Sequence, residues 1–202
     1  MKIRPTLYID LDNVVFDTIG TIKAMYDEDY RYYEDYEWIP AHKIQSYEFT
    51  ELKYMTQEKL MEYFSSGRFF DRLECMEEAE LSIMLLNKFG KFPVTFVSRG
   101  TAPNIKGKIE WVNTFNHLWG TNVSFEGIYI PNSKSLINMR GGVLIDDELA
   151  NLQNNSANHT ICFGDYTWNK EYKGERVTDW VTLRKMLNEG RYDIETETKY
   201  SG

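Results

Sequence analysis

The sequence predicts an α/β fold: a doubly wound parallel sheet with a small, mainly helical subdomain inserted after its first strand. Three observations carry this. Short β-rich runs alternate with helical patterns along most of the chain, as in a mostly parallel sheet covered on both faces. The polar residues suited to chemistry each follow one of those runs at its carboxyl end, where open α/β sheets bind ligands. One stretch, residues 17–70, breaks the alternation and shifts composition towards rings and acids.

Strands are expected at residues 6–10, 93–97, 125–130, 143–145 and 159–163. The clearest helical pattern is 76–88, where Met76, Ala79, Ile83 and Leu86 recur on one apolar face. Others are expected at 104–118 and at 178–187, the latter opened by a capping Thr178 or Asp179. The polar tail after Gly190 is expected to fray. Residues 17–70 hold 13 of the chain's 30 aromatic residues, with many acids, as in YDEDYRYYEDYEW. Their best helix is 55–64. A plain crossover between parallel strands needs only about a dozen residues, yet the next strand waits until Pro93. The expected division is therefore a core of residues 1–16 and 71–202, with residues 17–70 as the helical subdomain.

The 202 residues are 42% apolar and 15% aromatic, enough for a real core without staples. A net charge of −8 fits poorly with gripping long nucleic acid, which needs a basic face. Small phosphorylated substrates remain open, because a local cation can overcome the global field. Cys75 and Cys162 lie beside apolar residues and read as core positions rather than a disulfide. No apolar run has the length of a signal peptide or membrane span, so a cytoplasmic setting without a membrane partner is expected. A homodimer is compatible with the chain.

The first strand ends in YIDLDNVVFDT, so Asp10 and Asp12 leave the sheet together. Two crowded carboxylates demand a cation or a shared proton. Alone, such a pair reads as a polar strand end. The second strand, however, ends VTFVSRGT with Ser98 and Arg99; Lys134 follows the third in PNSKSL; the fourth, GGVLIDD, ends in Asp146 and Asp147. Singly these are a turn residue, a surface lysine and a helix cap. Together they supply what phosphoryl transfer needs: a carboxylate nucleophile, a second acid to move a proton, hard oxygen ligands for Mg²⁺, and a cation and hydroxyl for the equatorial oxygens.

The order Asp10-x-Asp12, Ser98, Lys134, Asp146–Asp147 resembles the four motifs of the haloacid dehalogenase superfamily. Receiver domains use similar residue types, but their acidic pair comes early and their lysine last. The resemblance implies a Rossmann-like core with a helical cap over residues 17–70. It implies Asp10 as nucleophile and metal ligand, and Asp12 as general acid/base lending its backbone carbonyl to the metal. Asp147 would be a direct ligand, Asp146 a direct or water-mediated one, and Ser98, Arg99 and Lys134 would bind the phosphoryl group. Within the superfamily, DNVVFD, FFDRLECMEEAELSIMLL, and ICFGDYTWNK with VTDWVTLRKML are similar to segments of 5′(3′)-deoxyribonucleotidases, including phage and bacterial relatives. The chain departs from that pattern at Asn13, where many members have glycine, at Thr18, where mammalian members carry phenylalanine, and at Glu148, where a basic residue is expected. The resemblance thus implies a Mg²⁺-dependent phosphatase acting on nucleoside or deoxynucleoside monophosphates. Another small phosphate monoester, such as a sugar phosphate, is the nearest alternative, and a non-catalytic nucleotide-binding module the next. Rings of the inserted segment, foremost Trp38, Phe49 and Phe69, are candidates for stacking on a base. His42, His117 and His159 lack ligand spacing.

Overall fold

The computed structural model describes residues 2–195. In chain order the elements are β1 (Lys2–Ile3), β2 (Leu7–Ile9), α1 (Thr18–Tyr30), α2 (Gln57–Ser65), α3 (Gly67–Arg72), α4 (Ala79–Lys88), β3 (Val94–Gly100) and α5 (Ala102–Trp119). They continue with β4 (Ser124–Tyr129), β5 (Val143–Asp146), α6 (Leu149–Gln153), β6 (His159–Phe163), β7 (Glu175–Val177), α7 (Trp180–Asn188) and β8 (Ile194–Glu195). Six strands form one parallel sheet in the order β4-β3-β2-β5-β6-β7. The chain winds outward from β2 through β3 to β4, then returns to β5 on the other side. The carboxyl end of β2 is therefore the switch point, the place where such sheets bind ligands.

Strand periodicity divides the core. Leu7, Ile9, Val94, Phe96, Val143, Ile145, Ile161 and Phe163 point to one face, where α4, α5 and α7 contribute Ile83, Leu86, Val112, Phe115, Trp180 and Leu183. Leu144 and Val97 point to the opposite face, covered thinly by Met139 with Tyr8, Ile137 and Ala157 packed against it.

The structure adjusts several expectations. The helix expected from Met76 begins at Ala79, because Glu78 is in the left-handed region with φ 63°. Lys134 lies on a single 3₁₀ turn, Lys134–Leu136. Beyond the five expected strands the sheet has a sixth, β7, of only three residues, two of them charged. The tail does not fray directly after Gly190. Tyr192 is buried, Arg4 bonds Asp193 at 3.0 Å, and β8 pairs with β1. The rest of that tail lies outside the described residues.

Between β2 and α4 no strand occurs among the described residues. Asp17 caps α1 by accepting from the Gly20 amide, and Thr56 caps α2 through the Lys59 amide. Ile22, Met25, Tyr26, Phe49, Leu52, Leu60, Tyr63 and Phe69 form a second apolar cluster within this insert. Several of its acids are paired: Arg68 bonds Asp29 at 2.6 Å and Glu28 at 2.7 Å, and Arg72 also reaches Glu28 at 2.7 Å. The buried rings and the paired acids account for part of the composition of the stretch. The two passages between core and insert pair with each other, Asp17 N donating to Glu74 O at 2.8 Å and Met76 N to Val15 O at 2.7 Å.

Candidate active site

After β2 the chain turns sharply: the amides of Val15 and Phe16 both donate to Leu11 O, at 2.9 and 2.8 Å. Asn13 sits inside the turn at φ 54°, a conformation that asparagine tolerates better than most side chains. The turn carries Asp10 and Asp12 over the sheet edge. Asp146 ends β5, Asp147 follows it, and Lys134 reaches in from its 3₁₀ turn. One carboxylate oxygen each from Asp10, Asp146 and Asp147 lie within 4.8 Å of one another.

The hydrogen bonds separate the roles these groups can take. Asp10 Oδ1 accepts from the Leu11 amide at 2.8 Å and lies 2.7 Å from Lys134 Nζ. No described group donates to Asp10 Oδ2. Asp146 is fully engaged: Oδ2 accepts from Lys134 at 2.7 Å, Oδ1 from the Glu148 amide at 2.9 Å, and Asn151 Nδ2 bonds both oxygens. Asp147 has Oδ2 bonded by Trp168 Nε1 at 3.1 Å and Asn13 Nδ2 at 3.4 Å, with no described donor to Oδ1. Asp12 Oδ1 accepts from Thr18 Oγ1 at 3.1 Å, and Oδ2 from Lys108 Nζ at 2.5 Å.

Electrostatics favour a cation here. Burial raises the Asp10 carboxyl to about 7, with the charges of Asp146 and Asp12 adding to it and Lys134 opposing. Burial, then the charges of Asp10 and Asp146, push Asp147 well above the usual carboxylate range. Burial works against the Lys134 ammonium, but Asp10 and Asp146 outweigh it and hold its pKa above the ordinary lysine value. Four buried carboxylates (Asp10, Asp12, Asp146, Asp147) face two buried ammoniums (Lys108, Lys134), a deficit that one divalent cation would close. The all-oxygen donor set suits a hard ion such as Mg²⁺.

A cleft of about 410 Å³ opens above these groups, within the range of small-ligand sites. Its floor includes Asp10, Asp12 and Lys134; Arg99, Gly100 and Pro131 form the core side; Gln57, Leu60, Met61, Phe64 and Tyr47 form the insert side. The insert is tied down at this wall, Asn104 Nδ2 donating to Phe64 O at 2.9 Å and Ser65 Oγ meeting Thr101 Oγ1 at 2.8 Å.

Asp10, Asp12, Lys134, Asp146 and Asp147 are thus brought together. Ser98 lies beneath them, wholly buried, its hydroxyl accepting from Lys108 at 2.8 Å and facing Asp12 at 3.4 Å rather than opening to the cleft. Arg99 does line the cleft, 3.9 Å from Glu148 across it. None of the three expected stacking rings is in the lining, which corrects that expectation. Phe49 and Phe69 are consumed by the insert's own core, and Trp38, 64% exposed, lies outside the cleft under the Lys23 ammonium. Sequence reasoning also missed Lys108. The signal was available: Ile105, Lys108, Val112 and Phe115 share the buried face of α5, and a lysine in an apolar stripe needs a buried partner. Thr18 and Trp168 carried no comparable signal.

The fold is shared with solved phosphatases and hydrolases. A predicted phosphatase from Clostridium acetobutylicum superposes with a TM-score of 0.61 at 14% identity, covering 93% of this chain and 99% of that one. A haloacid dehalogenase-superfamily hydrolase from Ehrlichia chaffeensis gives 0.56 at 16% identity, covering 94% and 98%. A hydrolase of the same type from Deinococcus radiodurans, with bound phosphate and sodium, gives 0.54 at 13% identity, covering 94% and 97%. No curated protein sequence matches the chain. Residues 4–192 match the family model described as 5′ nucleotidase, deoxy (Pyrimidine), cytosolic type C protein, and the chain belongs to that family of phosphatases on the haloacid dehalogenase fold.

Proposed function

We propose that the chain is a Mg²⁺-dependent 5′-nucleotidase that hydrolyses nucleoside and deoxynucleoside monophosphates through an aspartyl-phosphate on Asp10. The observation that carries this reading is the cleft itself. A carboxylate oxygen with no donor among the described residues lies at its floor, and Leu60, Met61 and Phe64 beside Gln57 form one wall. An apolar wall with one amide suits a heterocyclic base better than a polyhydroxylated sugar, whose hydroxyls need many polar partners. Residues 17–70 would then act as the cap that selects the leaving group.

In the first step Asp10 Oδ2 forms a bond to phosphorus as the ester P–O bond breaks, and Asp12 gives its proton to the departing nucleoside oxygen. In the second, Asp12 takes a proton from water, whose oxygen attacks the phosphoaspartate and frees Asp10. Lys134, fixed between Asp10 and Asp146, holds positive charge where the phosphoryl oxygens arrive. Lys108 and Thr18 clamp Asp12, so the same side chain is held in place to give the proton in the first step and to take one in the second. Asp10, Asp147 and the Asp12 carbonyl would hold Mg²⁺, with Asp146, already saturated by protein donors, acting through water. When bound, the ion supplies charge that keeps Asp10 ionised and attracts the substrate phosphate.

The decisive experiment is phosphate release across deoxyribonucleotides, ribonucleotides, sugar phosphates and an aryl phosphate, with Mg²⁺ and with chelator. Nucleotides should lead the sugar phosphates by at least tenfold in kcat/KM, and chelation should abolish every reaction. Sugar phosphates turning over faster would overturn the substrate assignment, and full activity in chelator would overturn the metal.

A further inference from the structure

We propose that Trp168 is a positioning residue for the divalent-cation site: its indole N–H commits one oxygen of Asp147 to the protein and thereby presents the other to the metal. The inference rests on reading Asp10, Asp146 and Asp147 as that site.

A carboxylate on an aspartate has a broad, roughly two-fold terminal torsion, so nothing within the side chain fixes its plane. Asp146 is fixed by donors on both oxygens. Asp147 receives donors on Oδ2 alone, and the shorter of them comes from Trp168, at 3.1 Å against 3.4 Å for Asn13. A donor can orient its acceptor only if it is itself held, and Trp168 is held on several sides. Its ring stacks on Tyr166 at 4.6 Å and 3°. The Tyr166 hydroxyl in turn donates to Asn13 O at 3.1 Å, tying the stack to the turn that carries Asp10 and Asp12. The next residue, Asn169, donates to the Asp147 carbonyl at 2.9 Å and is gripped by Arg176 at 2.6 Å. Tyr47 from the insert meets the indole edge-on at 5.8 Å and 82°. The loop after β6 thus grasps Asp147 twice, by backbone and by side chain. A tryptophan serving only as packing would have no need to aim its N–H at a buried acid whose other oxygen is left without a donor.

The test uses the whole chain and Mn²⁺ alone, with the free hydrated ion counted by electron paramagnetic resonance. Trp168→Phe keeps a ring against Tyr166 and Tyr47 but removes the N–H. Losing such an outer partner typically weakens metal binding about 10–100-fold, and that loss is expected here with the metal-free melting temperature little changed. Equal Mn²⁺ affinity in variant and wild type overturns the inference while leaving the cation site intact. No binding by wild type at all removes the cation reading itself, and the inference with it. A second measurement needs no variant. In wild type labelled with ¹⁵N at the indoles, substoichiometric Mn²⁺ should broaden an indole N–H resonance selectively, because the Trp168 N–H lies one hydrogen bond from the ligand. Uniform behaviour of all five tryptophan indoles would overturn the proposal even if Trp168→Phe fails to fold.

Discussion

The edge of the sheet and the insert meet across one cleft but are built on opposite terms. At the edge, Asp10, Asp12, Ser98, Lys108, Lys134, Asp146 and Asp147 are all less than a tenth exposed, and charge is buried in quantity. Burial of that kind is costly unless groups are paired, and here the pairing is incomplete by design of the constellation: acids outnumber ammoniums. In the insert Phe49, Phe64 and Phe69 are buried, and Glu28, Asp29 and Asp35 pair at the surface with Arg68, Arg72 and Lys53. The edge holds a charge deficit that a cation can relieve, whereas most of what the insert buries is apolar. Chemistry should therefore fail when the edge is altered, and fold or selectivity should change when the insert is.

The sharpest way to test that contrast is Asp10→Asn. Turnover should fall at least a thousandfold, since the amide is a poor nucleophile and carries no charge for a metal. The metal-free variant should nonetheless melt at or above the wild type at pH 8, because a buried carboxylate with its pKa raised to about 7 has been removed. Residual activity at a tenth of wild type would remove Asp10 from its role. Lys108→Met comes next. It strips Asp12 of its 2.5 Å partner, and kcat should fall about 10²-fold, within the range ascribed to general acid–base assistance, with KM little moved. An unchanged kcat would reduce Lys108 to a packing residue.

Changes in the insert should read differently. Phe69→Ala empties a wholly buried site and should destabilise the protein by about 3–5 kcal/mol in denaturant titration, while slowing nucleotide and aryl phosphate equally. Met61→Ala removes apolar surface from the cleft wall and should depress nucleotide kcat/KM by roughly tenfold more than the aryl reaction, on the scale of about 1–2 kcal/mol for an apolar contact of that size. Trp38→Ala should change neither, since that ring lies outside the cleft. Equal effects of Met61→Ala on both substrates would deny the insert its selective role.

The smallest expected effect is on stability against pH. The folded pKa of Asp10 lies above its unfolded value, so between about pH 4 and 7 the native state holds a proton that the unfolded chain has released. In chelator, this group's contribution to stability is therefore present at low pH and lost as pH rises through about 7. Mg²⁺ competes with that proton, so the melting-temperature gap between Mg²⁺ and chelator should widen by several degrees from pH 5 to pH 8. A gap that is constant with pH would separate metal binding from these carboxylates.

The sequence alone revealed five of the six strands of the sheet and set Asp10, Asp12, Lys134, Asp146 and Asp147 at or after their carboxyl ends. Strand periodicity and the position of polar residues after apolar runs are local properties, and a parallel sheet brings the ends of separate strands to one edge. Asn13, where many members of the resembled family have glycine, takes the left-handed conformation of the turn. Tertiary structure alone decided which rings face the cleft, because Phe49, Phe64 and Phe69 are alike in composition and differ only in what packs against them. It likewise decided the partners of the acids at the sheet edge. Lys108 reaches Asp12 across 96 residues and Trp168 reaches Asp147 across 21, separations over which no periodicity carries information. The short strand β7 and the pairing of β1 with β8 arose the same way, from edge contacts that so few residues cannot announce. Which residue ends a strand is set by nearest neighbours along the chain, but which oxygen of a buried carboxylate remains free is set by every element packed around it.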